Sequence, residues 1–310
     1  MNPRYQTIGE YRLTDLLGVG GMGEVYRAVH PKIQRVVAIK LLKHVSGPLV
    51  ERSINEARIQ AGLQHPNIAT LYDFLEWQGQ PCLILEYVDG QTLAQWMIDN
   101  PRPHLETVRN IVDQIARGLL AFHRKEMVHQ DLRPANIMID RSGTAKIIDF
   151  GSTLVAGVAE TAGPDVNAQI LGTVQYTAPE YFLGEGGSAR SDVYALAAIA
   201  YHMLAGRLPY GARPAHARTR AQMRKLAYAP IVDDVSEIPA WVDGALRKAL
   251  DPDPDKRFSD PMEFAFALRN PVVGAPPSRL IERDPLRFWK VVAAMLAALV
   301  LALLFVVSRR

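Results

Sequence analysis

Between Asp192 and Gly206 the chain carries Val193-Tyr194-Ala195-Leu196-Ala197-Ala198-Ile199-Ala200-Tyr201, a run with no polar face at helix spacing. A helix that is apolar all round must stand at the centre of a packed body. The fold therefore includes a lobe large enough to surround it, with Asp192 placed to cap its start and Gly206 to close it. At 310 residues there is room for one large two-lobed domain or two small ones. A formal net charge of +3 is too weak to argue for a nucleic-acid partner. The lone Cys82 excludes an intrachain disulfide framework and a cysteine-only metal cluster, and it fits a reducing compartment. It reads as a small buried residue in a strand.

Ahead of that lobe the pattern favours strands. Tyr11 to Leu17 reads as one, followed by Gly18-Val19-Gly20-Gly21-Met22-Gly23. Glycines let a backbone approach phosphate oxygens and offer N–H groups without obstruction. The spacing is shared with dinucleotide-binding folds, where a helix opens next. Here Glu24 to Val29 favours a second strand, so a hairpin flap over a nucleotide is the better reading. Val36 to Leu42 is an apolar strand carrying one cation, Lys40. A buried ammonium needs a partner, unless the lysine snorkels to the surface. Glu56 is the partner expected, on a helical stretch from about 49 to 63 whose apolar positions are Val50, Ile54, Ala57 and Ala61; Glu51 is the fallback. Ile68 to Leu75 and Pro81 to Tyr87 read as two strands around a turn at Gln78-Gly79-Gln80. From Leu105 to His123, apolar residues at 108, 111, 112, 115, 119 and 122 predict a helix with one buried face.

Val128-His129-Gln130-Asp131-Leu132-Arg133-Pro134-Ala135-Asn136 then sets an acid and an amide five positions apart on a polar turn. A second acid, Asp149, follows the strand-like Lys146-Ile147-Ile148 and opens Asp149-Phe150-Gly151. Phosphoryl transfer needs such a set: a carboxylate for a hydroxyl proton, and an amide plus a carboxylate for a hard cation on the phosphates. With Ala178-Pro179-Glu180 further on, the chain resembles a protein kinase, close to the bacterial serine/threonine kinases of the eukaryotic-like type.

That resemblance implies an α+β bilobal protein-kinase-like fold. A small antiparallel-sheet N-lobe would span residues 11–88 and a mostly helical C-lobe residues 89–269. It implies ATP under Gly18, Gly20 and Gly23 and against Val25 and Ala38. Lys40 would hold the α- and β-phosphates, oriented by Glu56. Leu85 would be the gatekeeper, and the backbone N–H and C=O groups of Glu86 and Val88 would meet the adenine edge. Asp131 would be the catalytic base, and Arg133 would assist at the γ-phosphate. Asn136 and Asp149 would ligate Mg²⁺, with Mn²⁺ the alternative. Asp192 would also tie down the backbone of the catalytic turn, and Arg257 would pair with Glu180. Thr173, bonded to the catalytic aspartate, favours protein substrates with Ser/Thr acceptors.

Two residues depart from the family pattern. Gln130 stands where many members carry the arginine that meets an activation-segment phosphate, so activity is expected to depend weakly on phosphorylation there. Arg133 replaces a lysine; it keeps charge and reach, but its planar fork is not an ammonium. Ser152, Thr153 and Thr161 are candidate autophosphorylation sites, with Thr161 in mid-segment. Arg213, Arg218, Arg220, Arg224 and Lys225 read as a solvated face or as a dock for acidic substrates or anionic lipid headgroups.

Residues 270–287 read as a Pro-containing juxtamembrane linker, and 288–307 as a transmembrane helix anchored by Phe288 and Trp289. No basic-then-apolar segment opens the chain, so a single-pass protein of the cytoplasmic (inner) membrane is expected, its catalytic domain in the cytoplasm and a short stub across the lipid bilayer. The span and the turn are similar to the kinase half of bacterial kinase/phosphatase proteins, which suggests a PP2C-type phosphatase partner. Two rivals remain: a pseudokinase acting as a nucleotide-binding membrane scaffold, and a small-molecule phosphotransferase on the same fold.

Overall fold

β-branched and aromatic residues near the start of the chain build one antiparallel sheet. The computed structural model describes residues 6–19, 23–42, 57, 60–149, 154–155, 175–211, 213–233 and 237–271. The sheet consists of β1 (Thr7–Ile8), β2 (Tyr11–Val19), β3 (Gly23–His30), β4 (Arg35–Leu42), β5 (Leu71–Trp77) and β6 (Gln80–Glu86), in the order β1-β2-β3-β4-β6-β5. The hairpin reading of the glycine segment holds, because β3 and not a helix follows it. Gly23 is obligatory there: a Cβ would lie 1.9 Å from the carbonyl oxygen of Leu41 on the neighbouring strand. Gln78 and Gly79 both have positive φ, at 52° and 75°, the mirror-image turn that matches strand twist in a tight hairpin. Cys82 is buried in β6, as expected of a small apolar residue.

β5 starts at Leu71 rather than Ile68, for a tertiary reason. Residues 67–69 are bonded to the strand that leads to Asp149. Ala69 N–H donates to the Ile147 carbonyl at 2.8 Å, and Ile147 N–H to that of Asn67 at 3.0 Å.

The helical lobe opens with β7 (Gly90–Thr92) and α1 (Leu93–Asp99), whose cap Thr92 Oγ1 accepts from Gln95 N–H. α2 (Leu105–His123) has the bounds that periodicity predicts, and it buries all six expected positions. β8 (Met127–Val128), β9 (Ile137–Asp140), β10 (Ala145–Ile147) and β11 (Leu154–Val155) follow, paired as β10-β9-β7 and β11-β8. They bracket the polar turn at 129–136. α3 (Ala189–Ala205), α4 (Arg220–Met223), α5 (Ala240–Ala249) and α6 (Pro261–Arg269) complete the lobe.

α3 is the helix that is apolar all round, and it is buried without interruption from Ser191 to Tyr201. Its ends differ from expectation in one respect. Ser188 holds the cap position, and its N–H donates to Ser191 Oγ at 3.0 Å. Asp192 lies inside the first turn, where its carboxylate is used elsewhere. Gly206, at φ 69°, closes the helix as expected. Gly20, Glu51, Glu56, Ser152, Thr153, Thr161, Thr173, residues 150–151 and the expected span at 288–307 lie outside the described residues. Among the described residues no helix is long and apolar enough to cross a membrane.

Candidate active site

The polar turn after β8 is fastened from below by α3. The Asp192 carboxylate accepts from His129 N–H at 2.9 Å and Gln130 N–H at 3.0 Å, and His123 Nε2 lies 2.9 Å from it. Gln130 sits at φ 69°, a left-handed conformation that costs a residue with a side chain about 1–3 kcal/mol. The two bonds from Asp192 compensate for that strain by fixing both peptide N–H groups. His129 is buried edge-on to Phe122, and burial holds its imidazole below the usual histidine range, hence neutral.

Asp131 follows, with Asn136 folded back onto it. The Asn136 amide nitrogen donates to the Asp131 carbonyl at 2.8 Å and to Asp131 Oδ2 at 3.0 Å. Arg133 Nε stands 3.6 Å from the same carboxylate oxygen. Burial raises the Asp131 carboxyl above the ordinary carboxylate range, with Arg133 and the Asn136 bond opposing it. A base with a raised pKa is better matched to proton transfer near neutral pH. Both Asn136 side-chain bonds come from its nitrogen, which leaves its oxygen as the acceptor a hard cation would take.

Asp149 is brought beside Asn136 by a backbone bond, Ile148 N–H to the Asn136 carbonyl at 3.0 Å. Lys40, on β4 and in register with Val25 of β3, reaches across to Asp149 Oδ1 at 2.9 Å. The buried-lysine reading thus finds a counter-charge, and among the described residues it is Asp149. Nothing local in the sequence signals an ion pair between positions so far apart. Amide oxygen and carboxylate, with further oxygens from phosphates, suit Mg²⁺ better than an all-protein cage would. The described residues contain no cluster of three His, Cys, Asp or Glu side chains able to hold a metal.

At the lobe junction, Ala38 is paired with Leu85 across β4 and β6, and both Leu85 and Val88 are buried. Glu86 corrects one expectation: its N–H already donates to the Thr70 carbonyl at 2.8 Å. Its carbonyl and the backbone of Val88 are what a base edge can use. The Glu86 carboxylate meets Lys146 Nζ at 2.8 Å and Thr70 N–H at 3.2 Å, ties that the sequence reading missed. Lys146 sits on β10, three residues before Asp149, so the hinge strand and the strand ahead of the acid are joined directly. Lys146 alternates with the apolar residues of its strand, the one signal that could have marked it.

Glu180 and Arg257 form the expected pair, bidentate at 2.7 and 2.8 Å and fully buried, with the guanidinium also over the Tyr194 ring. Three of the five cations between 213 and 225 serve local bonds. Arg213 donates to the Tyr210 and Ala227 carbonyls, Arg218 to the Ala215 carbonyl, and Arg220 pairs with Glu185.

The comparisons with known proteins agree with this geometry. Residues 11–271 match the family model of the protein kinase domain. The chain is 37% identical over 220 residues to the serine/threonine-protein kinase PknA of Mycobacterium tuberculosis, covering 68% of this chain and 50% of PknA. It is 34% identical over 205 residues to the serine/threonine-protein kinase PrkC of Bacillus subtilis, covering 65% and 31%. To a probable serine/threonine-protein kinase of Streptomyces coelicolor it is 34% identical over 275 residues, covering 86% and 41%. The chain thus spans between about a third and a half of the length of these curated relatives. With a family match that runs from β2 past the end of α6, the chain belongs to the protein kinase domain family.

Proposed function

We propose that this chain transfers the γ-phosphoryl group of ATP to Ser/Thr hydroxyls of protein substrates. The observation that carries the reading is the meeting of Lys40, Asp131, Asn136 and Asp149, drawn from both lobes, through bonds of 2.8 to 3.0 Å. In this reading Lys40 holds the α- and β-phosphates, with Glu56 as its orienting acid. Gly18, Gly20, Gly23, Val25 and Ala38 enclose the nucleotide, and the Glu86 carbonyl and Val88 backbone read its base. The oxygens of Asn136 and Asp149 hold Mg²⁺, which supplies charge neutralisation at the phosphates when bound. Asp131 orients the substrate hydroxyl and takes its proton. Arg133, already beside Asp131, lies against the γ-phosphoryl group. Alignment and fixed charge carry the rate, with no covalent enzyme intermediate.

Gln130 carries no charge to meet a phosphate, so phosphorylation of the activation segment has a small effect on rate. Residues 288–307 tether the catalytic domain to the cytoplasmic face of the inner membrane. Autophosphorylation by the purified chain, compared with Asp131→Asn, tests the central reading. Loss of transfer by at least about a hundredfold, with nucleotide binding retained, supports it. A wild-type chain that binds ATP and transfers nothing would be a scaffold instead. For the tether, membrane fractionation with and without residues 288–307 decides.

A further inference from the structure

A cleft of about 610 Å³ opens between α1, the catalytic turn and the C-terminal end of α3. Its apolar lining includes Met97 and Ile98 of α1, Ala135 of the turn and Met203 of α3. Ile98 is 72% exposed, so α1 directs a large aliphatic side chain to solvent at the mouth of the cleft. The charged groups there are cations. Arg102 and Arg133 line the cleft, and no carboxylate does among the described residues. Arg102 has φ 51°, and its side chain lies over Gly206, where a Cβ would stand 3.4 Å from Arg102 Nε. Among the described residues no acid pairs with Arg102, whereas Arg133 is 3.6 Å from Asp131. Arg133 thus stands between the cleft and Asp131, so what enters the cleft lies one side chain away from the group that meets the acceptor hydroxyl.

We infer that this cleft selects the acceptor protein: it takes an apolar side chain close to the target hydroxyl, sets a neighbouring substrate carboxylate on Arg102, and rejects a basic residue there. The inference rests on the kinase reading above and adds the class of substrate to it. An aliphatic side chain removed from water against Met97, Ile98 and Met203 favours binding, and a lysine or arginine would bring like charge against Arg102. His202 does not offset that charge. It is held by the Tyr176 hydroxyl, 2.6 Å from its Nδ1, and is no acid.

Phosphate transfer by the full chain to a positional library of Ser/Thr peptides tests this. Peptides with Leu or Met within about three residues of the acceptor, next to Asp or Glu, are expected to show roughly tenfold higher kcat/KM than those with Lys or Arg, mostly through KM. Arg102→Glu should reverse the preference between acid and base, and Ile98→Glu should remove that for an aliphatic residue. Both residues are exposed, so melting temperature and transfer to a peptide of Gly and Ala around the acceptor should not change. Equal rates for all flanking residues, a preference for basic ones, or an unchanged preference in Arg102→Glu would overturn the inference and leave the kinase reading intact. Absence of transfer to any peptide and to the chain itself would overturn both.

Discussion

The two lobes hold their functional groups in different ways. In the helical lobe the machinery is bolted to a single large core: Asp192 fixes the catalytic turn from inside α3, and Glu180 and Arg257 close a buried bidentate pair beside it. In the sheet lobe two small clusters support the strands, and Lys40, the cation offered to the site, projects from β4 with its side chain mostly buried. Among the described residues its contact with the other lobe is the ion pair to Asp149. The difference teaches that Asp131 and Asn136, the base and one cation ligand of the proposed function, are preorganised by folding, whereas Lys40, proposed to hold the phosphates, is aligned by a contact that a substrate can replace. Catalysis that depends on alignment gains from such a division, since the nucleotide enters between a rigid half and an adjustable one.

The contrast breaks most visibly with one substitution from each lobe. Arg257→Ala strands the buried Glu180 carboxylate, and uncompensated buried charges cost about 3–5 kcal/mol. Chemical denaturation should show that loss, with activity falling because folded protein falls. Lys40→Met should cost at most about 1–2 kcal/mol of stability, less than Arg257→Ala, and still reduce phosphate transfer by a factor of roughly a hundred or more. If Lys40→Met unfolds the protein, or Arg257→Ala does not weaken it, the division between lobes is wrong.

Asp192→Asn comes next. The amide keeps one acceptor oxygen but turns an NH₂ group toward the peptide N–H of His129 or Gln130, so one bond is lost and a donor faces a donor. About 1–3 kcal/mol of stability should go. Turnover should fall more than that loss explains, because Gln130 is freed from its left-handed conformation and Asp131 follows it. A fall in turnover that the lost folded fraction fully accounts for would reduce Asp192 to a structural residue.

What the sequence made legible divides along the same line. Elements written in local periodicity were read closely: the bounds of α2, the hairpin turn at Gln78-Gly79, the burial of the helix after Asp192. The pairing of Glu180 with Arg257 was expected because both sit in family motifs. What escaped depends on distant segments meeting. Lys40 finds Asp149, Lys146 finds Glu86 and His123 finds Asp192; several of these residues stand out from their neighbours, but nothing local names the partner. Asp192 was read as a cap because an acid before an apolar run suits one, but Ser188 four residues earlier already holds that place. The cleft at Arg102 was not foreseen at all, since α1, the turn and α3 each contribute only a few side chains.

The tie between Glu86 and Lys146 sharpens the comparison from the junction. Both side chains are mostly buried, so the pair is worth more than a surface ion pair, about 1–2 kcal/mol. Lys146→Met should lower stability by that amount and weaken nucleotide binding several-fold, because the strand carrying the Glu86 carbonyl loses its anchor. Unchanged nucleotide affinity in a destabilised variant would mean that the hinge is set by β5 and β6 alone.

The smallest effect separates the lobes by pH. Burial lowers the pKa of both His129 and His202 in the helical lobe, so each is neutral in the folded protein. An unfolded chain protonates them below about pH 6.5. Their neutral state therefore contributes stability that is fully present above that pH and is lost as pH falls from there through the depressed folded values. Each can steepen the dependence by at most about 1.4 kcal/mol per pH unit. Carboxylates with ordinary pKa values enter only near pH 5 and below, and the raised Asp131 carboxyl, which acts with the opposite sign, is common to parent and variant, so the difference between the two from about pH 6.5 to 5 reports the histidine. Denaturation midpoints across that interval should fall for the parent and fall less steeply for His202→Gln, which keeps a hydrogen-bonding side chain for Tyr176. An identical slope in the variant would mean that His202 stays as accessible to protons folded as unfolded, and that the packing between the cleft and α3 is looser than its burial indicates.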